Sequence, residues 1–238
     1  MPNILLLDVE TAPSVAYVWG LHDENIPLDR LIKPGHILCW AAKWYKKPDM
    51  QFGSKWTDGD RMIPRLRNMF LEADAVVTYN GNRFDLPKIR GEVLALGLDP
   101  IPPVTSIDLY TTSRKLGYPS GKLAYVAKHL GLGAKAQHNG FDTWIGVMEG
   151  IERDQKVMER YNKMDVRLLE RLYTVLRPHI KEHPYMGAGV QAECPVCKSK
   201  KIQKRGNRRT KAFLIEKLQC QGCGAWFSGK KLSVPKHK

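Results

Sequence analysis

The sequence predicts an α/β fold with a mixed central sheet flanked by helices, followed by a small cysteine-bearing appendage. Three observations carry this. The apolar run Ile4–Leu7 is uninterrupted, as in a strand covered on both faces. Strand-like segments come first and then alternate with helical ones, the order of a layered α/β sheet. Four of the five cysteines lie between positions 194 and 223, in two CxxC pairs.

The elements follow in order. Ile4–Asp8 reads as the first strand and ends on an acid. Segments around Ile37–Lys43 and Gln51–Trp56 read as further strands, with the turn-like KKPDM between them. Across Asp60–Glu72, Met62, Ile63, Leu66, Met69 and Phe70 recur at helical spacing. AVVTY, 75–79, is strand-like again. Leu86–Leu96 reads as a helix stopped by Gly97, and DPIPPV cannot continue one. Thr105–Leu109 is a short strand, with helical stretches near Tyr110–Lys115 and Lys122–Leu130. Asp154–Leu176 is the longest helical pattern and ends before Pro178. The weakly patterned PYMGAGVQAE begins at 184. The expected division is a domain over 1–183, a linker over 184–192 and a second domain over 193–238.

The chain has 238 residues, enough for one sizeable core and a small appendage. Its net charge of +14 points to a polyanionic partner, most simply nucleic acid. Residues 190–238 hold 13 Lys or Arg against two acids, whereas the first 189 residues net only +3. No apolar run nears the roughly 20 residues of a membrane span. The start lacks the basic n-region of a signal peptide. An intracellular, cytoplasmic setting is expected; a nucleoid-associated, phage or mobile-element context is compatible with it. Paired CxxC motifs in such a chain read as metal ligands rather than disulfides.

Three acidic spots carry the chemistry. Asp8 and Glu10 are two apart, so in a strand they face the same side. They project from its carboxyl end, where open α/β sheets place their sites. YNGNRFDLPKI, 79–89, turns after a strand and enters a helix near Asp85, where an Asp also serves as a plain cap. YNKMD, 161–165, sets Tyr161 and Asp165 four apart on one helical face. Each spot alone has a structural explanation: an exposed strand end, a helix cap, a solvated helical face. Asp108 and Asp142 read as structural, and His179 and His183 as a surface loop.

Together the three spots resemble the DEDD exonuclease superfamily, which includes DnaQ and the exonuclease domains of family B polymerases. Asp8 and Glu10 match its DxE. Asn80, Phe84 and Asp85 match its N-x-x-x-F-D, most like the family B version. Tyr161 and Asp165 match its Y-x-x-x-D. The position five before the last Asp, where one branch has His, is Arg160, so the tyrosine (DEDDy) branch fits. The resemblance spans roughly residues 1–180 and implies a ribonuclease H-like fold. It implies that Asp8, Glu10, Asp85 and Asp165 hold two catalytic Mg²⁺ or Mn²⁺, and that Tyr161 orients the attacking water. It further implies 3′→5′ exonuclease activity, with Asn80 and Phe84 near the nucleic acid. The chemistry agrees: two hard cations on carboxylates neutralise phosphate charge and activate water.

CPVC and CQGC (Cys194, Cys197, Cys220, Cys223) have the layout of a four-thiolate Zn²⁺ site. With AFLIEKLQC strand-like between them, the tail resembles a zinc ribbon whose metal supplies much of its folding free energy. Lys200, Lys201, Lys204, Arg205, Arg208, Arg209 and Lys211 lie between the pairs, and KSKKIQKRGNRR reads as a folded loop. These residues, with Trp226 for base stacking, form the expected nucleic-acid grip; core packing is the other reading for Trp226 and Phe227. The expected function is 3′→5′ hydrolysis of DNA at single-stranded or frayed 3′ ends. A separate replication or repair protein is a candidate partner, and no membrane is involved. RNA as substrate, structure-specific endonuclease action on DNA, and a non-catalytic binding protein remain as alternatives.

Overall fold

The computed structural model describes residues 3–22, 24–134, 139–180, 183, 193–209 and 213–233. Its contacts gather into two compact units, one over Asn3–Leu172 and one over Tyr173–Lys238. The expected linker, 184–192, lies outside the described residues.

The first unit opens with β1 (Ile4–Thr11), then a short pair β2 (Val15–Ala16) and β3 (Leu31–Lys33). β4 (Ile37–Trp44), β5 (Met50–Ser54), α1 (Lys55–Asp58), α2 (Met62–Glu72), β6 (Ala75–Thr78) and α3 (Asp85–Ala95) follow. β7 (Thr105–Asp108), α4 (Leu109–Arg114), α5 (Leu123–His129), α6 (Phe141–Met148) and α7 (Glu152–Leu176) come next, the unit's boundary falling within α7 after Leu172. Five strands form one sheet in the order β5-β4-β1-β6-β7. β4 is antiparallel to β1 and β5, while β1, β6 and β7 run parallel. The sheet is therefore mixed, and its central strand is the one the apolar run marks.

Alternation along β1 divides its work between the two faces. Leu5, Leu7 and Val9 enter a buried cluster with Met62, Ile63, Leu66 and Phe70 of α2 and Leu86, Ile89 and Val93 of α3. Trp40 joins it fully buried, its indole N–H donating to the Met62 carbonyl at 3.0 Å. Leu6, Asp8 and Glu10 alternate to the other face, where α7 lies: the Asn162 amide reaches Asp8. α7 is tied to β4 by the half-buried pair Lys43–Glu170, and Glu170 also accepts the Lys46 backbone N–H at 2.9 Å.

Local differences from expectation have physical causes. Lys55 and Trp56 are not in a strand: Ser54 caps α1, its hydroxyl accepting the Thr57 N–H at 3.2 Å. α6 is unforeseen; Gly140, at φ 62°, lets the chain enter it, and Asp142 sits in its first turn. His183 lies outside helix and strand, as expected, and it stacks on buried Tyr173 and shares a 2.7 Å hydrogen bond with its hydroxyl.

The second unit holds an antiparallel sheet of β8 (Ile202–Arg209), β9 (Phe213–Cys220) and β10 (Trp226–Ser233), in the order β10-β9-β8. The basic segment read as a loop is thus a strand over 202–209. Among the described residues no helix is long and apolar enough to cross a membrane.

Candidate functional site

β1 is paired to β6 only from Ile4 to Leu6. Beyond Leu6, the stretch that carries Asp8 and Glu10 has no strand beside it on that side among the described residues. The chain leaving β6 fills this gap. It turns through Asn80, which adopts φ 64°, a left-handed conformation that Asn tolerates better than most residues. It then passes Gly81, where a side chain would collide with Thr78. At the start of α3, the Asp85 carboxylate accepts the Val9 N–H at 3.1 Å. Asp85 therefore caps the backbone between the two β1 acids.

Asp108, at the end of β7, shapes this turn. Its carboxylate accepts N–H groups from Asn80 at 2.8 Å, Asn82 at 3.2 Å and Tyr110 at 3.0 Å. That agrees with the structural role expected of it. Burial pushes the Asp85 carboxyl up to about 6; the Val9 N–H opposes this and the Asp108 charge adds to it. Phe84, just before α3, is 44% exposed.

α7 supplies the remaining groups. Asp165 and Tyr161 are buried on one face, and Trp144 of α6 packs its ring edge-on to Tyr161 at 6.1 Å. Between them, fully buried Asn162 donates to Asp8 Oδ2 at 2.7 Å and to the Asp8 carbonyl at 3.3 Å. Sequence reasoning missed Asn162. Its signal was an amide on the face of α7 that carries the apolar stripe. Cys39, the fifth cysteine, is buried, and its Sγ lies 4.0 Å from Asn162 Oδ1.

Carboxylate oxygens of Asp8, Glu10 and Asp165 all lie within 4.8 Å of one another. A hard cation at 2.0–2.6 Å from each oxygen spans oxygens up to about 4–5 Å apart, so this donor set fits one. Asp85 stands outside that three-way cluster, held against the same strand through Val9. Three of the four expected acids thus converge, and the fourth adjoins them through the backbone.

The four cysteines of the second unit also converge. Cys194 and Cys223 Sγ are 3.7 Å apart, and Cys197 and Cys220 Sγ are 3.5 Å apart. A disulfide needs about 2.05 Å. Tetrahedral zinc with bonds of about 2.3 Å spaces its sulfurs about 3.8 Å apart, so the cluster fits that ion. Knuckle N–H groups support the thiolates: Val196 N–H donates to Cys194 Sγ and Gly222 N–H to Cys220 Sγ. The thiols do not shift alike: burial pushes Cys194 and Cys223 up, whereas at Cys220 burial is outweighed by the Gly222 and Cys223 N–H groups and the neighbouring thiols, which bring the thiol down to about 7. Lys200, Lys201, Lys204, Arg205 and Arg208 are exposed or half-exposed around this unit, and Lys204 is paired with Glu216. The Arg209 side chain and Lys211 lie outside the described residues.

Three acids thus meet at the carboxyl edge of the central strand of a mixed α/β sheet, in a donor set that fits a divalent cation. Residues 49–177 match the family model of the RNase_H superfamily. That match covers more than half of the chain, and the chain belongs to the RNase_H superfamily. Membership supports a hydrolase acting on nucleic acid. Among solved structures, the family B DNA polymerase from the hyperthermophilic archaeon Pyrobaculum calidifontis is similar in fold, with a TM-score of 0.55 and 19% identity. The likeness covers 75% of this chain and 25% of the polymerase chain, so this chain spans about a quarter of that polymerase's length. No curated protein matches the sequence.

Proposed function

We propose that the chain is a metal-dependent 3′→5′ exonuclease that hydrolyses DNA at single-stranded or frayed 3′ ends. One observation carries the reading: Asp8, Glu10 and Asp165, from β1 and α7, bring carboxylate oxygens within 4.8 Å of one another. In this reading Asp8, Glu10, Asp85 and Asp165 hold two divalent cations, Mg²⁺ or Mn²⁺. Bound there, such cations neutralise charge on the scissile phosphate and lower the pKa of water.

The chain's own residues do the rest. Asn162 fixes the Asp8 carboxylate by its 2.7 Å hydrogen bond. The Tyr161 hydroxyl, on a ring braced by Trp144, orients the attacking water. The water oxygen bonds to phosphorus, and the bond from phosphorus to the 3′ oxygen of the preceding nucleotide breaks. A nucleoside 5′-monophosphate leaves, and the shortened strand keeps a 3′ hydroxyl. Asn80 and Phe84 flank the substrate strand. One Zn²⁺ on Cys194, Cys197, Cys220 and Cys223 organises the second unit, which grips nucleic acid through its basic residues.

The test uses 5′-labelled single-stranded DNA, duplex DNA, RNA and a flapped duplex, each with Mg²⁺ or Mn²⁺. A ladder of progressively shorter labelled DNA is expected. A single internal cut would make the protein an endonuclease. Shortening of RNA alone would move the substrate. Binding without cleavage under every condition would refute catalysis.

A further inference from the structure

The sheet of the second unit has two chemically unlike faces, and its register settles which side chains share each. Ile202 pairs with Cys220, and Leu218 lies between Lys204 and Phe227. Side chains on that face turn to the metal-ligand side, since Ile202 and Phe227 pack with the cysteines. Glu216 belongs to the same face, where Lys204 Nζ donates to it at 2.7 Å and the Lys230 N–H at 3.0 Å.

The opposite face differs. Gln203, Gln219 and Trp226 form one row across all three strands. Lys217 and Ser228 form the next. Arg205 joins them, its Nε donating to Gln219 Oε1 at 3.0 Å. Trp226 is 55% exposed here, while its neighbour Phe227 packs inward. Residues 193–238 contain two acids, Glu193 and Glu216; the first precedes the strands and the second faces the other way. No strand carboxylate is therefore presented on this face.

We propose that this face is a platform for single-stranded nucleic acid. Trp226 stacks on a base, Gln203 and Gln219 offer amides to base edges, and Arg205 and Lys217 contact the flanking phosphates. Charge complementarity selects the occupant: the face is cationic and free of carboxylate. The core of a protein interface is rich in apolar area and depleted of lysine; two amides, Arg205 and Lys217 surround this tryptophan. A duplex keeps its base faces stacked away from the indole, whereas a single strand offers them. The platform rests on the reading that the chain acts on nucleic acid. It removes Lys204 from the expected grip, because that side chain is turned to Glu216, and adds Gln203, Lys217 and Gln219.

The test is binding of the full chain, in an Asp8→Ala background that does not cleave, to labelled oligothymidylate and to a blunt duplex across a salt series. Trp226→Ala is expected to weaken single-strand binding about tenfold, within the range for one lost base–aromatic stack. Duplex binding should hold within about twofold, because no stack is lost there. Trp226→Phe should restore most of the loss. Arg205→Ala and Lys217→Ala should each flatten the slope of log affinity against log salt by about 0.7, the value for one single-strand phosphate contact. Unchanged single-strand affinity in Trp226→Ala, as a protein-docking face would give, overturns the proposal. So does equal weakening on both substrates. If Trp226→Ala exposes the cysteines to a thiol reagent, the two cation variants decide, and unchanged slopes overturn it. Binding without cleavage by the wild-type chain would strike the exonuclease reading and leave the platform standing.

Discussion

Asn162→Ala probes the site without touching an acid. The amide is fully buried, and it donates to Asp8 Oδ2 at 2.7 Å. A hydrogen bond to a charged group contributes about 1.5–3 kcal/mol. Losing it frees the Asp8 carboxylate to leave the position that the cluster requires. If that whole cost falls on cation binding, affinity drops about tenfold to a hundredfold, the range seen when partners behind metal ligands are removed. The assay is the Mg²⁺ concentration that gives half-maximal cleavage of single-stranded DNA. It should rise by about that factor, while saturating Mg²⁺ recovers most of the wild-type rate. Wild-type Mg²⁺ dependence in a folded Asn162→Ala protein would refute the claim that Asn162 holds Asp8 for a cation.

Three further predictions concern the scaffold. Asp108→Ala leaves the N–H groups of Asn80, Asn82 and Tyr110 without their acceptor. It should destabilise the first unit by about 1–3 kcal/mol in denaturant melts and slow cleavage by loosening the turn before Asp85. For Asp58, burial raises its pKa, but the Ser54 N–H and Arg65 outweigh it and hold the carboxyl below its ordinary 3.8. A lowered folded pKa gives stability that is present above the unfolded value and is lost as pH falls through the folded one. Asp58→Asn should therefore cost about 1 kcal/mol at neutral pH, with the gap to wild type closing below pH 3.8. Cys220→Ser should release zinc and strand signal from the second unit, read by metal analysis and circular dichroism, while the melting of the first unit holds.

Much of this was legible because the decisive signals are local. An apolar run ending in DVE announces a covered strand with acids at its exit, and β1 is that strand. The CxxC pairs announced a cluster by spacing alone, and the four sulfurs meet. Other features depend on tertiary context. β8 carries too many cations to alternate visibly, and it pairs as a strand because β9 offers it a ladder. Trp226 and Phe227 are adjacent and both aromatic; the register sends one outward and one inward. Asn162 reads as an ordinary helical amide until β1 is packed against α7. Asp85 read equally well as a cap, and its bond to Val9 depends on β6 pairing with β1 no further than Leu6.

The central claim is that the carboxylates of β1 and α7 perform metal-dependent cleavage. The most direct measurement compares cleavage of 5′-labelled single-stranded DNA in Mg²⁺ by wild type, Asp8→Ala and Asp165→Ala, each shown to be folded by circular dichroism. Both variants should lose cleavage. Wild-type cleavage by either would contradict the site.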